Sequence, residues 1–451
     1  MGCLIVWPSS YLHRLIKDDK LGFQINMDEG SWLVALMSAG RILGAVIGAI
    51  FSQYFGNRKG TLLSFVPFTL GWVIFMFAKS IIWADVARFV SGVGSGMTFC
   101  CYSLFIGEVT SPNKRGAVVS AAGIGIPLAY IITSVLGAIL TLREFSLVFL
   151  IPCLLGIIVM FCMPDSPHYC IANGNIESAK RSLRWYRAYD EVDSELSEIV
   201  QYVESSRASS FWAKMNEFRT VPYLRKGLII IIMLFIFQQA TGLNSMMGYI
   251  GIILQEVKFK LLDSSLVLTI AYVISMITTI MSTFLIEKYG GRTLQIFSCI
   301  GVAISLIIMG TVYLLIKQFD VDKEILQWFP IISVFAFMVS YFVGMITVPG
   351  KLLGEIFPSN LKSIAGCFAS LTGAISAFLS AKTYQPFVDL FGEAFVYYGH
   401  AGLALAALIF SLIYLPETKG KSLQEIQNEF LGNKNSHNAV RKKSDASTYA
   451  A

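Results

Sequence analysis

Gly107-Glu108-Val109-Thr110-Ser111-Pro112-Asn113 returns as Gly354-Glu355-Ile356-Phe357-Pro358-Ser359-Asn360, 247 positions further along the chain. Met163-Pro164-Asp165 returns as Leu415-Pro416-Glu417 at an offset of 252. Either short match alone is cheap; their shared order and nearly common spacing indicate a duplicated chain. A membrane span needs about 20 apolar residues. Eleven stretches qualify, near 31–54, 61–78, 84–106, 117–139, 145–163, 227–250, 264–286, 293–315, 328–349, 363–383 and 393–415. Composition agrees: 55% of the 451 residues are apolar and 14% charged, against about 25% charged in soluble domains. The expected fold is an all-α membrane protein of two pseudo-symmetric six-helix bundles, a layout that supports alternating access to a central site.

The twelfth span is incomplete. Met1-Gly2-Cys3-Leu4-Ile5-Val6-Trp7 is a seven-residue apolar run stopped by Pro8-Ser9-Ser10, too short to span or to act as a signal peptide. It reads as the end of a first helix that is largely missing, beginning near the outer face. The division is then an N-terminal transmembrane bundle at 1–163, a linker at 164–226, a C-terminal transmembrane bundle at 227–415 and a tail at 416–451.

Sidedness follows from the loops. Twenty-two Lys and Arg lie in the set of loops that includes the linker and tail, against ten in the opposite set, which places the linker and C-terminus in the cytoplasm. The net charge of +6 is spread over short loops rather than one patch, so a nucleic-acid partner is not expected. Within the linker, Leu196, Ile199, Val200 and Val203 form one helical stripe, predicting short amphipathic helices. The eight cysteines lie mostly inside apolar runs without metal-ligand spacing, as core packing does.

Pro416-Glu417-Thr418-Lys419-Gly420-Lys421-Ser422-Leu423-Gln424-Glu425-Ile426 closes the last span. Pro164-Asp165-Ser166-Pro167-His168-Tyr169 and Ser182-Leu183-Arg184-Trp185-Tyr186-Arg187 follow the sixth; Arg88, Gly92, Gly94 and Gly96 run along the fourth, which ends with Glu108 and Arg115-Gly116. Over residues 3 to about 430 these motifs resemble the sugar porter family of the major facilitator superfamily, in particular the facilitative glucose and trehalose transporters of insects. The resemblance implies a monomeric plasma-membrane carrier of a small sugar, without cofactor. It also implies that Arg58, Glu108 and Arg115 in one half, and Glu287, Arg292 and Glu355 in the other, latch the halves on the cytoplasmic side when the pore faces outward. The competing reading is that these charges only orient loops against lipid headgroups. Glu108 is expected to pair with Arg58 or Arg115, because a carboxylate at a membrane edge is costly alone. The first-half cluster departs from pattern: Gln53-Tyr54-Phe55-Gly56-Asn57-Arg58-Lys59 lacks the family's Asp and two of its Arg. The glycines of the fourth span read as close helix packing.

A sugar needs neutral hydrogen-bonding groups and apolar faces. Gln238-Gln239-Ala240-Thr241-Gly242-Leu243-Asn244, with Tyr249 after it, matches the family's QQ-x-(S/T)-G-(I/L)-N, which implies that Gln238, Gln239, Thr241, Asn244 and Tyr249 form the substrate site. Helix-to-helix bonding is the alternative role for the amides. Elsewhere the site departs from the family. The fifth span contains no Gln, Gly350 stands where the family carries a substrate-facing Trp, and Gly373-Ala374 replaces Asn-Trp, which widens the cavity. Arg41 lies mid-span and reads as cavity lining or as a snorkelling side chain; Lys351, beside the Pro349-Gly350 break, is a second pore-facing candidate. No nucleophile, metal-ligand cluster or phosphate loop is evident, so catalytic residues, a metal site and enzymatic activity are not expected. The function expected is facilitative sugar transport by alternating access, the alternative being a non-transporting sugar receptor or inactive truncated homologue.

Overall fold

The computed structural model describes residues 1–17, 24–188, 191–207, 211–244, 246, 264–318, 326, 328–358, 361–421 and 425–426. Its elements are α1 (Gly2–Lys17), α2 (Met27–Phe55), α3 (Asn57–Met76), α4 (Ile81–Val109), α5 (Pro112–Ile139), α6 (Leu142–Cys162), α7 (Pro167–Ala172), α8 (Ile176–Arg187), α9 (Asp193–Arg207), α10 (Phe211–Thr220), α11 (Pro222–Ala240), α12 (Ser264–Tyr289), α13 (Gly291–Gln318), α14 (Trp328–Ser340), a π-helical turn at Tyr341–Met345, α15 (Thr347–Ile356), α16 (Lys362–Phe391) and α17 (Glu393–Tyr414). Eleven helical segments among the described residues are long and apolar enough to cross a membrane. Their outer faces stay apolar: Leu154, Leu155, Ile158 and Phe161 of α6 are all exposed, a face that lipid covers. The chain is a multi-pass, all-α membrane protein.

The N-terminal half packs α2 and α3 on α4, α3 on α6 and α1 on α5; the C-terminal half packs α13 on α14 and α17, and α11 on α16. The halves meet where α2 lies along α16 and α5 along α12. By the sequence repeat, α2 corresponds to α12 and α5 to α16, so the two contacts are one contact related by a pseudo-two-fold axis. Glycines bring α2 and α4 together: a Cβ on Gly92 or Gly96 would run into the backbone at Met37 and Arg41, and one on Gly40 or Gly44 into Phe89 and Val93.

The N-terminal helix differs from expectation. It does not stop at Pro8 but continues to Lys17. Proline lacks the N–H that would bond the carbonyl four residues earlier, and that carbonyl, Leu4 O, instead accepts from Arg88 Nη1 of α4. Arg88 also donates Nε to Leu33 O at 3.0 Å and lies over the Trp7 ring. A borrowed donor keeps the helix intact in a water-poor environment. The helix begins partway along α5, where Gly2 abuts Ile126 and Ala129, and runs toward the α5 C-terminus, where Tyr11 Oη donates to Leu140 O at 3.2 Å; on the sidedness expected from the loops, that start is not at the outer face.

In the linker, α7 to α9 bury Ile171, Ala179, Leu183, Leu196, Ile199 and Val203 together, with Val200 against them, as the apolar stripe predicts.

Candidate substrate site and charged clusters

Helix α11 ends because Gly242 takes φ +88°, a conformation that suits glycine. Two other helices clasp the break. Tyr341 Oη of the π turn donates to Gln238 O at 2.6 Å, and His400 Nδ1 of α17 lies 2.8 Å from Ala240 O; since a carbonyl only accepts, Nδ1 carries the proton. The π turn frees backbone groups of its own: Met345 N donates to Ser298 Oγ at 3.0 Å, and Met345 O accepts from Gln238 Nε2 at 3.0 Å.

The three amides form a relay from there. Gln239 Nε2 donates to Gln238 Oε1 at 3.4 Å, and Asn244 Nδ2 donates to Gln239 Oε1 at 2.8 Å. Thr241 Oγ1 donates back to Gln238 O at 3.3 Å. Gln238 and Gln239 are buried, and Asn244 is partly exposed, so the relay opens at Asn244. Tyr249 lies outside the described residues.

Arg41 is placed at the junction of the halves. Its guanidinium stacks on Phe99 at 4.4 Å, and the position a Cβ would take on Gly373 of α16 is 3.3 Å from both Arg41 Nη2 and Phe235 Cδ1 of α11. Phe235 precedes Gln239 by one helical turn on the same face of α11. Lys351, by contrast, sits among charges at the linker end: it pairs with Glu355 at 3.7 Å and joins Glu287, Glu355, Lys419 and Lys421 around a cavity of about 410 Å³.

The predicted pairing of Glu108 with Arg58 is not made. Arg58 Nε instead meets Asp165 Oδ1 at 3.0 Å and Nη1 donates to Met163 O, while Glu108 Oε1 accepts from Asn57 Nδ2 at 2.6 Å. The neutral Asn57 sits one residue before Arg58, on the side of the junction that faces α4, and takes the carboxylate. The side chain of Arg115 lies outside the described residues. Both halves repeat one motif here. Gly56 (φ +86°) and Gly290 (φ +88°) turn the chain between paired helices, Gly56 against Tyr169 and Gly290 against the Glu417 carboxylate; Arg292 donates to Leu412 O at 2.5 Å. Glu108 Oε2 and Glu355 Oε2, equivalent by the repeat, are buried without hydrogen-bond partners among the described residues.

Polar contacts between the halves lie toward the opposite end. Ser9 and Tyr272 hydroxyls share a hydrogen bond at 3.1 Å, as do Ser134 and Thr269 at 2.8 Å, and Lys382 donates to Ser31 Oγ at 2.9 Å while covering Trp32. Sequence reasoning missed Tyr341, His400 and Lys382, whose roles arise from which helices meet.

The family profile described as "Sugar (and other) transporter" matches residues 18–430. The chain is 27% identical over 428 residues to the facilitated trehalose transporter Tret1 of Bombyx mori, covering 93% of this chain and 83% of that one. It is also 27% identical over 416 residues to sugar transporter ERD6-like 6 of Arabidopsis thaliana, covering 90% and 83%. In fold it is similar to the proton:xylose symporter XylE bound to 6-bromo-6-deoxy-D-glucose, with a TM-score of 0.71 at 21% identity, covering 95% and 96%. The inward open conformation of the xylose transporter XylE from E. coli superposes with a TM-score of 0.73 at 20% identity, covering 94% and 96%. With the duplicated bundles, the broken α11 and the match running across nearly all of its spans, the chain belongs to the sugar transporter family of the major facilitator fold.

Proposed function

We propose that the chain moves a sugar of hexose or trehalose-like disaccharide size across the plasma membrane by facilitated alternating access, as a monomer surrounded by lipid, with linker and C-terminus cytoplasmic. One observation carries this reading: an oriented row of amides, Gln238, Gln239 and Asn244, starts one helical turn from Phe235, the α11 residue that packs at the junction of the two bundles, and ends in a partly exposed group. Gln238 fixes the row to the π turn, and Gln239 and Asn244 hold the spare donors and acceptors that sugar hydroxyls match; Thr241 and Tyr249 complete the proposed site. Arg58, Glu108 and Arg115, with Glu287, Arg292 and Glu355, would latch the cytoplasmic ends in the outward-facing state. The unpartnered oxygens of Glu108 and Glu355 support this, since such groups gain from partners brought up by closure.

The test is labelled trehalose and glucose uptake in proteoliposomes. Asn244→Ala and Gln239→Ala should each cut uptake by about tenfold or more, the loss of one or two substrate hydrogen bonds, with unchanged protein yield. Uptake by the unsubstituted protein that survives both changes intact refutes the site.

A further inference from the structure

The two arginines inside the spans, Arg88 buried and Arg41 half-buried, are held differently. Arg88 donates to the carbonyls of Leu4, Leu33 and Val34, which is how a structural arginine is satisfied in a membrane. Arg41 has no hydrogen bond or ion pair among the described residues, and its Nε is buried without a partner. It is the central residue of α2, 14 positions from either end, about 21 Å by helical rise, too far for the side chain to reach a headgroup. Lipid is not its surrounding either: the guanidinium rests between Phe99 of its own half and Gly373 and Phe235 of the other. The missing side chain at Gly373 leaves the room it occupies.

A cation at this depth is costly unless an anion meets it. Phe235 and Gln239 share a face of α11 one turn apart, so the residue of α11 that packs beside the guanidinium at Gly373 lies on the face that carries the amide row. We infer that Arg41 is an oxyanion subsite continuous with the amide row, so that the preferred substrate is a sugar bearing a carboxylate or phosphate. This rests on the sugar-binding reading of Gln239 and Asn244 and narrows it. The amides would take hydroxyls of the ring, and Arg41 the charged group in a charge-assisted pair.

The experiment is ligand-induced thermal stabilisation of the full chain purified in detergent, titrated with D-glucose, trehalose, D-glucuronate and D-glucose 6-phosphate, a readout independent of transport. At least one acidic sugar should bind about tenfold or more tighter than glucose, the gain of a hydrogen-bonded charge, and which one does so separates carboxylate from phosphate. Arg41→Gln should erase that advantage and leave glucose binding in place, whereas Arg41→Lys should keep part of it. Gly373→Leu, which fills the space beside the guanidinium, should reduce it with Arg41 intact and serves if Arg41→Gln does not fold. Equal binding of glucose and both acids, or an advantage that persists in Arg41→Gln or Gly373→Leu, overturns the inference and leaves neutral-sugar transport standing. Failure to bind glucose, either acid or trehalose overturns both, and binding of trehalose alone overturns this inference only.

Discussion

If Arg88 stands in for the amide hydrogen that Pro8 lacks, the two residues must be energetically coupled. Replacing Pro8 with alanine restores an N–H to bond Leu4 O within the helix, so that carbonyl no longer depends on Arg88. In the wild-type background, Arg88→Met strands Leu4 O and takes a second donor from Leu33 O and Val34 O, which lie inside α2 and keep their helical partners; in the Pro8→Ala background only that second loss remains. Polar contacts inside membranes average about 0.6 kcal/mol and reach about 1.7 by double-mutant cycles. A charged donor on an otherwise orphaned carbonyl belongs near the upper figure. The expected coupling is therefore about 1–1.7 kcal/mol, roughly five- to eighteenfold in the unfolding equilibrium. The measurement is a four-member cycle of wild type, Pro8→Ala, Arg88→Met and the double variant, unfolded by SDS titration in mixed micelles. A cost of Arg88→Met that agrees within about 0.3 kcal/mol in the two backgrounds, the scatter of independent sites, would show that Arg88 does not support the first helix this way.

Two further outcomes follow from the junctions. Gly56→Ala should destabilise the protein by about 1–3 kcal/mol, because φ +86° with ψ 157° is a region essentially confined to glycine, and by more because the new Cβ would approach Tyr169 Cδ2 to 2.6 Å; an unchanged midpoint in thermal unfolding speaks against this geometry. Lys382→Met removes the donor to Ser31 and the cation over Trp32, so a cysteine placed at Ser134 should react faster with a membrane-impermeant maleimide in that variant. Equal labelling rates would mean that Lys382 does not hold the far end closed.

The fold was legible because bilayer thickness writes itself into the length of each apolar run, and because duplication repeated Glu108 as Glu355 and Asp165 as Glu417. Helix ends were read less well: α2, α4 and α16 each extend beyond their apolar runs, since a helix carries its hydrogen bonding into polar residues once started. Pro8 was read as a stop by a local rule that holds in water, where a freed carbonyl finds solvent; here the outcome depended on Arg88, 80 positions away. The amide row was visible as a motif, but not its order, which depends on Met345 O being exposed by a π turn. Arg58 was assigned the wrong acid for the same reason: Asp165 and Glu108 are equally plausible by charge, and only the docking of the segment after α6 decides between them.

The arrangement also bears on why such a carrier can move. The polar contacts described at the far end are two hydroxyl pairs, a longer bond from Ser134 Oγ to Ser265 O at 3.5 Å, and one lysine on a hydroxyl, each of the class worth about 1 kcal/mol. At the linker end, Glu108 and Glu355 each keep one buried oxygen unsatisfied, a standing penalty of about 1–3 kcal/mol apiece. Under the latch proposed above, rocking the halves would break the first set and give the second set partners, so gains and losses would be of similar size. Two states separated by only a few kcal/mol interconvert readily and respond to a ligand that prefers one of them. A more strongly bonded far end, or carboxylates fully satisfied in the present state, would hold the bundle in one conformation; the weak far-end contacts and the two unpartnered oxygens are what the proposed latch needs.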